Sequence, residues 1–155
     1  MTASEYRYLK NISELFSGIG MVKLTDIARK MQLSKASVYR AVERLTADGY
    51  LKRHGDKSIK PTDKGLNSLE EYTLCIDFIS RTIQNNWKVN QNIAYTDAVN
   101  TVCIISDASR NSILNYLNKK IKLKFIRRYF FVLIPLKREG FLKTQELANS
   151  YLGQL

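Results

Sequence analysis

Histidine is almost missing from this chain: of 155 residues, His54 alone carries an imidazole. No histidine can therefore be paired with a second, and His54, in a hairpin, is not read as one half of a His–acid catalytic pair. The sequence has no glycine-rich phosphate loop and no nucleophile elbow. Acids are scarce as well, 14 against 25 Lys and Arg. These absences describe a binding protein rather than an enzyme. The two cysteines, Cys75 and Cys103, belong to no C-x-x-C pair or zinc-like cluster. The opening stretch MTASEYRYLKNIS has no apolar signal core, so export is not expected, and two thiols of buried type point to the reducing cytoplasm. The longest apolar run, Tyr129 to Leu136, falls short of the roughly 20 residues of a membrane-spanning helix. No membrane partner is expected.

What the chain does have is positive charge, +11 in all. Such an excess favours a polyanionic partner. Lys and Arg outnumber Asp and Glu by 5 to 3 over residues 1–33 and by 8 to 4 over 34–64. The balance reverses to 3 against 5 over 65–118, then returns to 9 against 2 over 119–155. Two basic blocks thus flank a mildly acidic middle. Hydrophobic residues make up 45% of the chain, enough to bury a core.

The apolar spacing reads as mainly α with one β-hairpin. Tyr8, Ile12, Leu15 and Phe16 mark a helix over 4–17, closed by Gly18 and Gly20. A short helix over 25–31 follows, with Thr25 as its expected cap. Ser34 caps a third helix whose inner stripe is Val38, Val42 and Leu45, and Asp48-Gly49 stops it. Extended runs at 50–53 and 58–60 flank Gly55-Asp56, a hairpin signal, with Pro61 ending the second. Thr62 caps a helix over 63–83 with Leu66, Leu69, Leu74, Phe78 and Ile79 as its apolar stripe. Asn85-Asn86 and 88–92 read as loop. A fifth helix runs from Ile93 to Ile105, and Ser106 caps a sixth over 107–120 with Ile113, Leu114 and Leu117 on one face. Beyond residue 119, Ile121, Phe125, Tyr129 and Val132 continue a helical spacing, Pro135 and Gly140 bracket a break, and 141–152 reads as a short helix. The expected organisation is a DNA-binding domain over 1–65, a helical dimerisation domain over 66–118, and a basic, apolar extension over 119–155.

Helix, short helix, turn, helix and hairpin in that order make a winged helix-turn-helix, whose second paired helix enters the major groove. The start of that helix must be small and polar to let it approach base edges. Here it reads Ser34-Lys35-Ala36-Ser37-Val38-Tyr39-Arg40. With Val38 inward, Ser34, Lys35, Ala36, Ser37, Tyr39, Arg40 and, one turn on, Arg44 are left for DNA. Ser37 and Tyr39 suit phosphate, Ala36 a thymine methyl, and Arg40 a guanine edge or a phosphate. Lys52, Arg53, His54, Lys57 and Lys60 decorate the hairpin, where they suit the flanking backbone. The competing reading is a winged-helix protein-interaction module with no specific operator, its charges merely solvated.

The residues YLKNISEL at 8–15, VKLTDIARKMQLSKASVYRAVERLTADGYL at 22–51, IKPTDKG at 59–65 and DAVNTVCIISDASRNSIL at 97–114 together resemble the diphtheria-toxin-repressor family of iron- and manganese-dependent transcriptional regulators. The resemblance covers about residues 4–118. It implies a winged helix followed by a helical dimerisation domain, a two-fold dimer on a palindromic operator, and a divalent metal between the two parts that orders the DNA-binding geometry.

At the metal positions the resemblance fails. The family's ligand positions fall here on Arg7, Lys10, Tyr72, Ile76, Val99, Val102 and Cys103, and one further histidine position falls on Tyr95. Hard divalent cations need carboxylate and imidazole donors. Apolar, aromatic and cationic residues stand there instead, with Cys103 alone retaining donor chemistry. The expectation is a regulator, read as a repressor, that binds double-stranded DNA as a homodimer with no cofactor and no metal control. Such a regulator is constitutive or answers to an unidentified small molecule bound by the helical part; thiol oxidation at Cys75 and Cys103 is the weaker reading, since both lie on apolar faces with nothing nearby to lower a thiol pKa. The alternative is a metal-responsive regulator with displaced ligands such as Glu5, Asp77 or Asp97.

Overall fold

A capping box opens the first helix, α1 (Ala3–Ile19): the Glu5 N–H donates to the Thr2 hydroxyl, and the Thr2 N–H donates back to the Glu5 carboxylate. The computed structural model describes residues 1–120, which form one unit. The expectations for the helical spacing at 121–132, the Pro135–Gly140 break and the helix over 141–152 lie outside the described residues. After α1 come α2 (Leu24–Met31), α3 (Lys35–Ala47), β1 (Leu51–Arg53), β2 (Ile59–Pro61), α4 (Asp63–Trp87), α5 (Gln91–Ile104) and α6 (Asp107–Lys120). This is the mainly α, winged helix-turn-helix architecture read from the sequence.

Helix α1 is the organising element, in contact with α2, α3, β2, α4 and α5. Its Tyr6, Leu9 and Ile12 are fully buried, along with Val22 and Ile27 and the expected α3 stripe of Val38, Val42 and Leu45. The hairpin strands run antiparallel with Leu51 opposite Pro61 and Lys52 opposite Lys60. Ile59 also donates its N–H to the Val22 carbonyl at 2.8 Å, tying the wing to the chain just before α2. Leu51 and Ile59 point into the core. Pro61, at the end of its strand, has no N–H to contribute to the ladder.

Four local expectations change. Helix α2 is capped by Lys23, not Thr25: the Lys23 N–H donates to the Asp26 carboxylate at 3.0 Å, so the acid three residues on sets the start. Asn85-Asn86 is not a loop. No Gly or Pro interrupts there, so α4 continues to Trp87, and Lys88 ends it in the left-handed conformation at φ 56°. Helix α5 begins at Gln91 because the Asn90 side chain caps it, accepting from the Asn92 N–H at 2.9 Å, and it ends at Ile104. The α4 stripe is out of phase: Leu69, Tyr72, Cys75 and Ile76 are buried, while Leu66, Leu74, Phe78 and Ile79 are only half-buried. A helix packed by α1 and α5 on one side and α6 on another shares its apolar residues between two faces. Phe78 belongs to the second, with its ring 5.7 Å from that of Tyr116 on α6.

The junction of α3 with α4 is stitched by short bonds. Thr62 caps α4, accepting from the Gly65 N–H at 3.0 Å, and its own hydroxyl donates to the Gly49 carbonyl at 2.6 Å. The Lys64 ammonium donates to the Asp48 carbonyl at 2.7 Å. Gly65 lies directly against the Tyr50 carbonyl, in space that a β-carbon would occupy.

Candidate nucleic-acid interface and the seam behind it

The candidate interface starts from the cap of α3. Ser34 Oγ accepts from the Ser37 N–H at 3.1 Å and donates to Ser37 Oγ at 2.9 Å. Burial of Val38, Ala41, Val42 and Leu45 fixes the rotation of the helix. Lys35, Ala36, Tyr39 and Arg40 are consequently exposed, as is Ser34. Ser37 is half-buried, its hydroxyl engaged by the cap. Arg44 is exposed but turned back toward α1, with its Nε 3.7 Å from the Glu5 carboxylate.

On the wing, Lys52, His54, Lys57 and Lys60 are all exposed. Lys52 and Lys60 stand directly opposite each other across the hairpin. Like charges in that relation repel, and an anion lying over both relieves the repulsion. The turn is held by Asp56, whose carboxylate accepts from the Ser58 N–H at 3.0 Å and the Ser58 hydroxyl at 2.6 Å. Those two bonds lower the Asp56 pKa below the usual carboxylate value. Lys57 takes a left-handed φ of 64°.

Arg53 is the exception on the wing. Its Nη1 lies 3.0 Å from the Glu43 carboxylate of α3, and its guanidinium sits 4.9 Å from the centre of the Tyr39 ring. Glu43 is not singled out by the sequence, and Asp56 is read there only as part of the hairpin signal. Asp56-x-Ser58 was legible as a side-chain turn, whereas the Glu43 partnership depends on how the wing folds back on α3.

Behind this surface, α1, α4 and α5 meet in a seam. Tyr72, Ile76, Val99 and Val102 are buried there. The Tyr6 and Tyr72 rings stack at 6.5 Å between centres. Since the Thr73 hydroxyl donates to the Leu69 carbonyl at 2.7 Å, the Tyr6 hydroxyl must be the donor in its 3.2 Å bond to Thr73. Burial raises the pKa of both tyrosine hydroxyls.

Two cations stand at the rim. The Lys10 ammonium donates to the Tyr95 hydroxyl at 2.9 Å, joining α1 to α5. Arg110 places its guanidinium 4.7 Å from the Tyr72 ring centre, donates to the carbonyls of Val102 at 3.0 Å and Ile105 at 2.7 Å, and pairs with Asp107. Arg7 is exposed and Cys103 half-buried, with burial raising the Cys103 thiol pKa.

A hard divalent cation does not fit this seam: it would meet aliphatic walls, protonated hydroxyls, a protonated thiol and fixed positive charge. Among the described residues no three His, Cys, Asp or Glu side chains gather as a ligand set. No described helix is long and apolar enough to cross a membrane.

Comparison with known proteins agrees with this architecture. Residues 1–59 match the iron dependent repressor, N-terminal DNA binding domain. No curated protein matches. A hypothetical protein from Sulfolobus solfataricus has the same fold at a TM-score of 0.63 and 21% identity, over 77% of this chain and 91% of that one. The manganese regulator SloR gives 0.61 at 22% identity, over 76% of this chain and 55% of that one. T. acidophilum IdeR gives 0.53 at 15%, over 73% and 53%. The chain thus spans about half the length of these two regulators. Residues 1–59 thus resemble the iron dependent repressor N-terminal DNA binding domain, in line with the resemblance read from the sequence, and the solved regulators share the fold.

Proposed function

We propose that this protein is a sequence-specific transcriptional regulator, acting as a repressor, that binds palindromic duplex DNA as a homodimer and needs no metal to do so. The observation that carries the reading is the exposed start of α3, Lys35, Ala36, Tyr39 and Arg40, flanked by the cross-strand lysines of the wing. Arg40 reads base edges, while Lys35, Lys52, His54, Lys57 and Lys60 meet phosphates. Residues 1–65 serve as the reading head and 66–118 as the dimerisation part. Dimerisation is supported by apolar side chains left open near the α4–α5 turn and along α5: Trp87 is 69% exposed, Ile93 56% and Ile104 82%. Ile93 and Ile104 are eleven residues apart, three helical turns, and so lie on one stripe.

Metal independence is supported by the packing of the seam. Lys10 and Arg110 hold α1, α4, α5 and α6 together with charges the chain carries itself. An effector, where one acts, has a polar groove of about 630 Å³ between α4 and α5, lined by Asp77, Gln84, Asn92 and Tyr95 among others. Tyr95 is also the residue held by Lys10 of α1.

The test is selection of duplexes from a random pool, followed by affinity measurement. The reading predicts an inverted-repeat consensus and a steep loss of affinity with salt. Manganese or ferrous ion is expected to leave both affinity and melting temperature unchanged. A pool with no enriched sequence contradicts specific reading, and a metal-dependent rise in affinity contradicts metal independence.

A further inference from the structure

The wing carries five basic side chains, and four of them are free to meet an anion in the same way. Arg53 is built differently. Its ion pair and its cation–π contact are both made to α3, to Glu43 at 3.0 Å and to the Tyr39 ring at 4.9 Å. Tyr39 and Glu43 are four residues apart, one turn of the helix, and present a single face to the wing. The Nε and Nη2 atoms are enclosed and find no hydrogen-bond partner among the described residues. A guanidinium held by its edge and its face would have to leave both to reach a phosphate.

We propose that Arg53 is a positioning residue: it locks the wing to the recognition helix and fixes the ring of Tyr39 at the DNA-facing surface, without itself contacting DNA. Tyr39 is the side chain through which this acts, since it is 46% exposed while its inner face is covered by the guanidinium. Lysine has no planar face to lay on the ring and no fork for the carboxylate. Arg53→Lys therefore preserves the charge and loses the brace, which separates the two roles cleanly.

The inference rests on the DNA-binding reading, so its test has two arms, one free of DNA. In the first, affinity for a duplex selected by the wild-type chain is measured across salt concentrations. For a phosphate contact, Arg53→Ala lowers the slope of log affinity against log salt by about one, and Arg53→Lys restores it. For a brace, Arg53→Ala and Arg53→Lys both leave the slope unchanged. They lower affinity for the selected duplex by about fivefold, the worth of one exposed ion pair plus one cation–π contact. Affinity for a scrambled duplex is less affected, so discrimination falls.

A smaller loss is expected from Glu43→Gln, which removes the ion pair alone, and adding Arg53→Ala to Glu43→Gln costs less than the two singles together. In the second arm, amide hydrogen exchange is followed without DNA. Residues 50–61 are expected to exchange faster in Arg53→Ala and Glu43→Gln than in the wild type. A slope lowered by one, or wing exchange identical to wild type, overturns the proposal. Failure of the wild-type chain to select any duplex counts against the DNA reading alone, and the exchange arm still decides the brace.

Discussion

Arg40 and Ser37 sit three residues apart on α3, yet the structure gives them different work. Arg40 is exposed, whereas the Ser37 hydroxyl accepts from Ser34 inside the cap. Arg40→Ala is expected to cost about 1–3 kcal/mol on the selected duplex and to relax preference at one base position. Ser37→Ala keeps the backbone cap bond and removes only the acceptor of the Ser34 hydroxyl, so it is expected to weaken all duplexes alike and only slightly. Competition binding against single-base variants of the selected duplex distinguishes the two; an unchanged base preference in Arg40→Ala would remove it from base reading.

The cysteines make a second case at this scale. Cys75 is fully buried, its thiol donates to the Arg110 carbonyl, and burial pushes its pKa up to about 11. The folded state thus favours the protonated thiol. That contribution is complete below the ordinary thiol value and is lost as pH rises toward about 11, because the unfolded chain ionises first. Alkylation of Cys75 in the native protein should be slow at neutral pH and remain so at pH 9, while a denatured sample reacts readily. Rapid native labelling would contradict the burial.

At the scale of elements, the joint between α3 and α4 bears on both the wing and the reading helix. Gly65 packs on the Tyr50 carbonyl just ahead of β1. Gly65→Ala pushes backbone against backbone, with no flexible side chain to yield, and is expected to destabilise by about 1–3 kcal/mol. Chemical denaturation measures it directly, and a neutral result would show that the start of α4 can move.

This joint also marks how far the sequence could be read. The caps at Ser34 and Thr62 and the stripe Val38, Val42, Leu45 were legible because each depends on residues within one or two turns. The phase of α4 was not. Choosing between Leu69-Tyr72-Ile76 and Leu74-Phe78 requires knowing that three helices pack on it from two sides. The start of α2 was misread for a local reason, since Thr25 competed with an Asp26 carboxylate that reaches Lys23. In the interface, exposure of Lys35, Ala36, Tyr39 and Arg40 followed from the period of α3 alone. The turning of Arg44 to Glu5 and of Arg53 to Glu43 did not, because both partners come from elsewhere in the fold.

At the scale of the whole molecule, the open stripe on α5 is where the proposed dimer is tested. Ile104→Glu puts a charge on the most exposed of the large apolar side chains among the described residues. The variant is expected to sediment as a monomer with an unchanged melting profile at low concentration. Its affinity for an inverted repeat should fall at least tenfold, as the second half-site no longer adds to the first. Sedimentation velocity and binding to half-site duplexes check both parts; a dimer that persists would place the two-fold contact elsewhere.

Lys10 on Tyr95 and Arg110 on Tyr72 carry a last consequence. A cation covalently part of the chain has no dissociation constant: it cannot be chelated, starved or supplied in excess. If these two side chains fix the DNA-binding arrangement, every folded copy is competent from the moment it forms. With no effector in the α4–α5 groove, coverage of the operator is then set by how many copies exist, and the response runs on the clock of synthesis, dilution and proteolysis rather than that of ion exchange.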